Sequence, residues 1–219
     1  MELVAGTILC EADEPFKYAY FPLTSLISLV AATSGHSPLG LAMIGSEGLL
    51  GATLAMGINT PRLRAVVHGS GTALRVSAAP MRRMLRESPG LVHALHRYSY
   101  VLMGQLVQTA ACNSFHDVET RLARWLLMTD DRATSDGFHL THQMLADLLG
   151  VQRSAVTIAA GKLQHKKIIG YTRGYVSILS RIGLEAASCE CYAKQVKDHA
   201  RQFAYKRKKK RNESMAPSA

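Results

Sequence analysis

From Met1 to about Ala79 the apolar residues fall in strand-length runs: Leu26–Val30, Leu39–Ile44, Leu63–Val67 and Thr72–Val76. Glycine and proline separate the runs, among them Gly6, Pro15, Pro22, Pro38, Gly45, Gly51, Gly57, Pro61 and Gly69. Short strands between glycine-rich turns predict a compact β-barrel or roll. Pro80–Glu87 predicts a short helix with Pro80 in its first turn. The period then changes. Leu91, Leu95, Tyr98, Leu102, Leu106 and Thr109 recur every three or four residues, which predicts a long helix over about Pro89–Asn113. Val92, Val101, Met103 and Val107 widen its apolar stripe. A helix apolar over so much of its surface packs against both its own domain and a partner; an intramolecular core helix is the competing reading. A second amphipathic helix is expected over Asp117–Thr129, with Val118, Leu122, Trp125 and Leu126 on one face. The polar stretch Thr129–Gly137, ending in Asp136–Gly137, reads as a loop and a boundary between units.

The most specific pattern spans Thr141 to Ala160. Thr141 is placed to cap a first helix, and Leu145 and Leu149, four apart, face inward. Ala146 leaves room for a second helix to cross closely. Gly150 stands where a sharp turn needs a left-handed backbone. Val151 plugs the turn, and Val156 anchors the second helix. If Val156, Ala159, Ala160 and Leu163 look inward, then Gln152, Arg153, Ser154, Thr157 and Ile158 look outward. This is a helix-turn-helix with its recognition helix starting near Gln152, and such helices read bases from their N-terminal half. Gln152 suits adenine and Arg153 suits guanine or phosphate, Ser154 and Thr157 suit base edges or phosphates, and Ile158 suits a thymine methyl. An ordinary helical hairpin with a solvated polar face is the bland alternative. The segment Lys166–Ile178 predicts two short strands around Arg173–Gly174, a wing whose tip presents Arg173 to the phosphate backbone; a solvated turn residue is the alternative there.

Charge agrees with that assignment once it is located. Residues 1–137 carry 11 Lys/Arg against 11 Asp/Glu, whereas residues 138–211 carry 15 against 4. All the excess positive charge therefore lies in the last third, the footprint of an anionic partner. Seven of those cations sit in 201–211, and the run Lys206–Arg211 reads as a solvated, disordered tail or a non-specific phosphate tether. Of the four cysteines, only Cys189 and Cys191 are close in sequence, and their C-x-C spacing is poor for tetrahedral zinc. The thiols are expected to be buried and inert, with a redox role as the competing reading and no metal site predicted. No apolar run reaches about 18 residues, and the N-terminus lacks a basic start and apolar core. A cytoplasmic protein with no membrane partner is expected.

The C-terminal part resembles the Crp/Fnr superfamily of bacterial transcription regulators. Leu140-Thr141, Leu145-Ala146, Leu149-Gly150, Arg153, Val156, Leu163, Ile168-Ile169, Arg173-Gly174, Ile178 and Leu184-Glu185 follow that family's order and spacing. The resemblance implies that Gln152, Arg153, Ser154, Thr157 and Ile158 enter the major groove. Ile158 stands where a basic residue is common, so base preference does not transfer. Tyr20-Phe21-Pro22 and the stretch Ile44–Gly51 resemble landmarks of the family's cyclic-nucleotide-binding β-roll. The helical portion usual before that roll is missing, implying a truncated N-terminus. The family's phosphate cassette pairs Gly-Glu with a downstream Arg-Ser/Thr. Here Gly51 is followed by Ala52, and Arg64 by Ala65, so cyclic-nucleotide binding is not expected, and Arg62 and Arg64 read as surface charges. The cysteine cluster of iron–sulfur members is also missing.

The resulting expectation is an α+β chain in four parts. Residues 1–88 form a cyclic-nucleotide-binding-like roll, 89–115 a long dimerisation helix, 116–187 a winged helix-turn-helix, and 188–219 a basic, partly disordered tail. The function expected is that of a homodimeric, sequence-specific DNA-binding regulator, with RNA polymerase as a further partner, no cofactor and an unidentified effector. The alternative is a small-molecule sensor whose roll acts through a protein partner. A cupin-like enzyme would need clustered metal ligands, whereas His36 and His68 stand alone among the strands, so no catalysis is expected.

Overall fold

The computed structural model describes residues 1–32, 35, 37–134 and 137–203. His36 and the run Lys206–Arg211 lie outside the described residues, as do Ser135 and Asp136.

Seven strands build the N-terminal part: β1 (Glu2–Leu3), β2 (Ile8–Cys10), β3 (Tyr18–Pro22), β4 (Leu26–Ala31), β5 (Leu39–Ile44), β6 (Arg64–Gly69) and β7 (Gly71–Ser77). They form two antiparallel sheets of order β1-β7-β3 and β2-β6-β4-β5. The alternating apolar side chains fill the space between them, with Ala19, Ile27, Ala42, Ile44, Ala65 and Val67 almost wholly buried. Three of these strands, β1 to β3, are not among the apolar runs; β1 and β2 have only two and three residues, and all three are held by sheet pairing with β7 or β6. A 3-10 helix, Ala52–Met56, follows the left-handed Gly51 (φ 97°).

Helix α1 (Ala78–Glu87) leads into α2 (Pro89–Phe115), which Ser88 caps by accepting from Leu91 N. The buried face of α2 is Leu95, Tyr98, Val101, Gln105, Thr109 and Cys112. Two of these, Gln105 and Cys112, lie off the expected leucine stripe. Gln105 is buried because it completes an unpaired sheet edge: its Oε1 accepts from Met43 N (2.5 Å) and its Nε2 donates to Met43 O (3.4 Å). Met103 and Val107, expected to widen the stripe, are instead exposed. Close approach is also built in at Gly48, where a Cβ would lie 2.2 Å from Tyr98 Oη.

Helix α3 (Val118–Arg132), capped by Asp117 accepting from Thr120 N (2.8 Å), is longer than expected and buried on nearly every side from Arg121 to Asp130. The expected loop over 129–137 is thus corrected at both ends. Thr129 is buried in the helix with its hydroxyl satisfied by Trp125 O, and Arg132 is held by Glu47 of the roll. Gly137 opens a strand, β8 (Gly137–His139), rather than closing a loop. The remaining elements are α4 (His142–Leu149), α5 (Arg153–His165), β9 (Ile169–Thr172), β10 (Tyr175–Ile178), α6 (Arg181–Ala187) and α7 (Glu190–Phe203). Their core, around Leu122, Leu126, Leu145, Leu149, Val156, Leu163 and Leu184, reaches Leu26 and Met43 of the roll.

Helix α7 corrects the expectation of a tail from residue 188. Its cations at Lys194, Lys197 and Arg201 mask an amphipathic repeat in which Cys191, Tyr192 and Gln195 are buried. The helix packs along α2.

Candidate nucleic-acid interface

Thr141 caps α4 by accepting from Met144 N (3.2 Å), and Gly150 ends it in the left-handed conformation (φ 62°) with its N–H on Ala146 O. The tight turn that follows lets α5 cross α4 with Ala146, Val156, Ala159, Ala160 and Leu163 buried between the helices and their surroundings. Two contacts fix this unit from outside. Arg121 of α3 donates through Nη2 to Leu149 O at the end of α4. Glu119 of α3 pairs with Lys162 (3.4 Å) and Lys166 (2.8 Å) near the end of α5.

The first half of α5 is then left open. Gln152, Arg153, Ser154, Thr157 and Ile158 are all exposed, Ile158 by 62%. Gln152 takes the N-cap position without making a side-chain cap bond, so its amide is not spent on its own helix. Thr157 is different. Its Oγ1 donates to Arg153 O (3.0 Å) and lies 2.9 Å from His142 Nδ1, so this hydroxyl is already engaged within the protein. His142, at the start of α4, was not singled out from the sequence. Its ring also stacks on Tyr171 of β9 at 4.5 Å between centroids. Burial, and then the Arg153 charge, push its pKa below the ordinary histidine value, which favours the neutral ring. No sequence signal marks it, because the partners lie 15 and 29 residues away.

The wing has the expected form. β9 and β10 pair antiparallel through Thr172–Tyr175, and Arg173 (φ 50°) and Gly174 (φ 80°) make the two-residue connection. Both residues are left-handed, the geometry that matches hairpin twist. Arg173 is exposed at the tip. β8 adds a third strand beside β10, and Tyr171 Oη donates to Leu140 O (2.5 Å) to anchor the sheet under α4. α5 lies against β9, with Gln164 Nε2 donating to Tyr171 O (3.4 Å).

In the roll, the cassette positions are not built for a cyclic phosphate. Ala52 and Ala65 are buried, at 4% and 0% exposure, and offer no polar side-chain atom. Arg64 donates to Glu11 (2.7 Å), while Arg62 pairs with Asp13 at the surface (3.3 Å). His68 on β6 is buried with no hydrogen-bond partner for Nε2 among the described residues, and burial lowers its pKa to about 4.

Cys112, Cys189 and Cys191 are buried, as expected, while Cys10 is half-buried. Cys112 and His116 at the end of α2 meet Cys189 and Cys191 at the start of α7, with all four donor atoms within 4.8 Å of one another. The two pairs, four and two residues apart, are far from each other in sequence and meet because α7 packs on α2.

Comparison with known proteins places this geometry. Residues 120–187 match the model of the Crp-like helix-turn-helix domain. No curated protein sequence matches the chain. Among solved structures, FixK2 from Bradyrhizobium japonicum superposes with a TM-score of 0.73 at 16% identity, covering 86% of this chain and 96% of its own. A CRP-family transcriptional regulator from Thermus thermophilus gives 0.70 at 16% identity, covering 85% and 95%. A CRP/FNR-family regulator from the same organism gives 0.67 at 19% identity, covering 88% and 97%. The chain has the α+β fold of these regulators, with a β-sheet N-terminal part, a long helix and a C-terminal helix-turn-helix.

Proposed function

From a Crp-like helix-turn-helix domain carried on the fold of CRP/FNR-family regulators, we propose that this protein is a homodimeric, sequence-specific transcription regulator. It reads the major groove with Gln152, Arg153, Ser154 and Ile158 and grips phosphate with Arg173. The observation that carries this reading is the open first half of α5. Gln152, Arg153, Ser154 and Ile158 are exposed there, and Gln152 spends no side-chain bond on capping its own helix. Thr157, tied to His142 and Arg153 O, acts chiefly by holding α5 in place rather than by reading a base.

The dimer is supported by α2. Tyr100, Met103 and Val107 are 59%, 54% and 65% exposed at three- and four-residue spacing, an apolar face turned away from the chain's own core. Two such helices side by side would set the recognition helices one DNA turn apart, about 34 Å, on a palindromic site. The effector is not a cyclic nucleotide, since Ala52 and Ala65 supply neither the carboxylate nor the hydroxyl.

The test is selection of DNA from a random pool, followed by binding at several salt concentrations. A palindromic consensus is expected. Arg153→Ala should relax preference at one position of each half-site. Arg173→Ala should leave the consensus intact and reduce the steepness of the salt dependence by about one unit in the logarithmic slope per half-site. No enrichment, or an affinity indifferent to salt, would defeat the proposal. Light scattering should give a dimer that Met103→Glu/Val107→Glu dissociates, and titration calorimetry with cyclic AMP should show no heat.

A further inference from the structure

We propose that Cys112, His116, Cys189 and Cys191 form a binding site for a single tetrahedral metal ion of the zinc class, which fastens the end of α2 to the start of α7. The inference does not rest on the DNA-binding reading.

The geometry is that of one ion. Cys112 and His116 are four residues apart, so they stand one helical turn apart on the same face at the end of α2. Cys189 and Cys191 flank Glu190, the first residue of α7. Cys112 Sγ lies 3.5 Å from Cys189 Sγ, and Cys191 Sγ lies 3.7 Å from His116 Nδ1. An ion held at about 2.3 Å from sulfur and about 2.1 Å from nitrogen in a tetrahedron separates its donors by roughly 3.5–3.8 Å. A disulfide would need sulfurs about 2.05 Å apart, and all four cysteines of the chain are free thiols. An iron–sulfur cluster would have to fit two irons and their sulfides between the donors. That would spread the donors beyond a single-ion tetrahedron, whereas no pair here exceeds 4.8 Å.

The surroundings fit the ion as well. His116 Nε2 is 3.5 Å from Glu190 Oε2. With its N–H turned to that carboxylate, the imidazole presents the Nδ1 lone pair to the sulfurs, the arrangement that orients histidine ligands at metals. The three cysteines are buried, and their protonated thiols are favoured by that burial. Binding replaces three thiol protons with a dication, giving a centre of net charge −1 and releasing three protons. The buried guanidinium of Arg124 bears on Cys112 and offsets that charge. The centre would also close a chain loop of 77 residues, from 112 to 189.

The full-length chain, purified untagged under anaerobic conditions, is assayed for metals by plasma mass spectrometry and then titrated with cobalt(II) after metal removal. The expected results are one zinc per chain and, with cobalt, thiolate charge-transfer and tetrahedral ligand-field bands. Cys112→Ser and Cys191→Ser should abolish those bands, Cys10→Ser should leave them, and Glu190→Gln should weaken affinity about 10–100-fold. Lack of both zinc and cobalt bands in the unmutated chain overturns the proposal, whatever the variants do. So does iron with inorganic sulfide, or a one-to-one ion that survives loss of both cysteines.

Discussion

The ion pair Glu47–Arg132 joins the roll to α3 and gives a worked prediction. Arg132 Nε donates to Glu47 Oε1 at 2.7 Å, with the two side chains only 14% and 11% exposed for Glu47 and Arg132 respectively. Arg132 Nη1 also donates to Met128 O, and Glu47 accepts weakly from Gly45 N. Burial opposes ionisation of Glu47, but the Arg132 charge and these hydrogen bonds outweigh it and hold the carboxyl below its ordinary value. Glu47→Gln keeps the shape and removes the charge, leaving a guanidinium largely out of water without its counter-ion. Breaking a buried pair from one side costs about 3–5 kcal/mol; the residual exposure argues for the lower end, about 3 kcal/mol. For a chain of this size that corresponds to a fall in Tm of roughly 6–12 °C. Glu47→Gln/Arg132→Met removes both charges and should recover most of the loss. Urea denaturation of the four proteins closes the cycle. Because the folded pKa is depressed, this stability is full above the unfolded value of about 4.3 and is lost as pH falls through the folded one. The gap between wild type and Glu47→Gln should therefore narrow in acid. A single-variant cost under about 1 kcal/mol, or a double variant worse than either single, would refute the reasoning.

Other expectations follow from single residues. His68, with its pKa lowered to about 4, contributes stability that is complete above the unfolded value of about 6.5 and is lost as pH falls toward 4. The loss over that window should approach about 3 kcal/mol and vanish in His68→Leu; a parallel pH profile for the two proteins would contradict it. Gly150→Ala puts a side chain at φ 62° and its Cβ 2.7 Å from Leu39 Cδ1, and should destabilise by at least about 1–2 kcal/mol by thermal melting. An unchanged melting temperature would remove the left-handed cap from the account. His142→Phe keeps the stack on Tyr171 and removes the bond to Thr157. DNA affinity should fall with the consensus unaltered, and a changed consensus would show that Thr157 reads bases after all.

The helix-turn-helix was legible because its constraints are local. Ala146, Gly150 and Val156 answer to one tight turn, and Arg173–Gly174 to one hairpin, so spacing alone identifies them. The roll was legible as a class but not strand by strand, since β1 to β3 owe their form to partners in β7 and β6. What the sequence concealed is polar and distant. Gln105 reads as a break in a leucine stripe until the edge of β5 is set beside it. Arg121 looks like a solvated helix charge, and Arg132 like part of a polar loop, until Leu149 O and Glu47 are found opposite them. Cys112 and Cys189 are 77 residues apart, and no periodicity could have joined them.

The long helix α2 acquires a mechanical meaning from its length. Its 27 residues at 1.5 Å each make a rod of about 40 Å. The roll grips this rod along Leu95, Tyr98 and Gln105, while α3 and the helix-turn-helix follow from its far end and touch the roll again at Leu26 and Met43. The far end at Phe115 lies about 26 Å beyond Tyr98, so a tilt of about 10° at the grip would swing it by about 4–5 Å, a little more than one step along a strand spaced at 3.4 Å. In a dimer the two rods would swing in opposite senses, doubling the error in half-site spacing. In the proposed dimer, a small rotation of the roll's grip would therefore shift both recognition helices against their grooves at once.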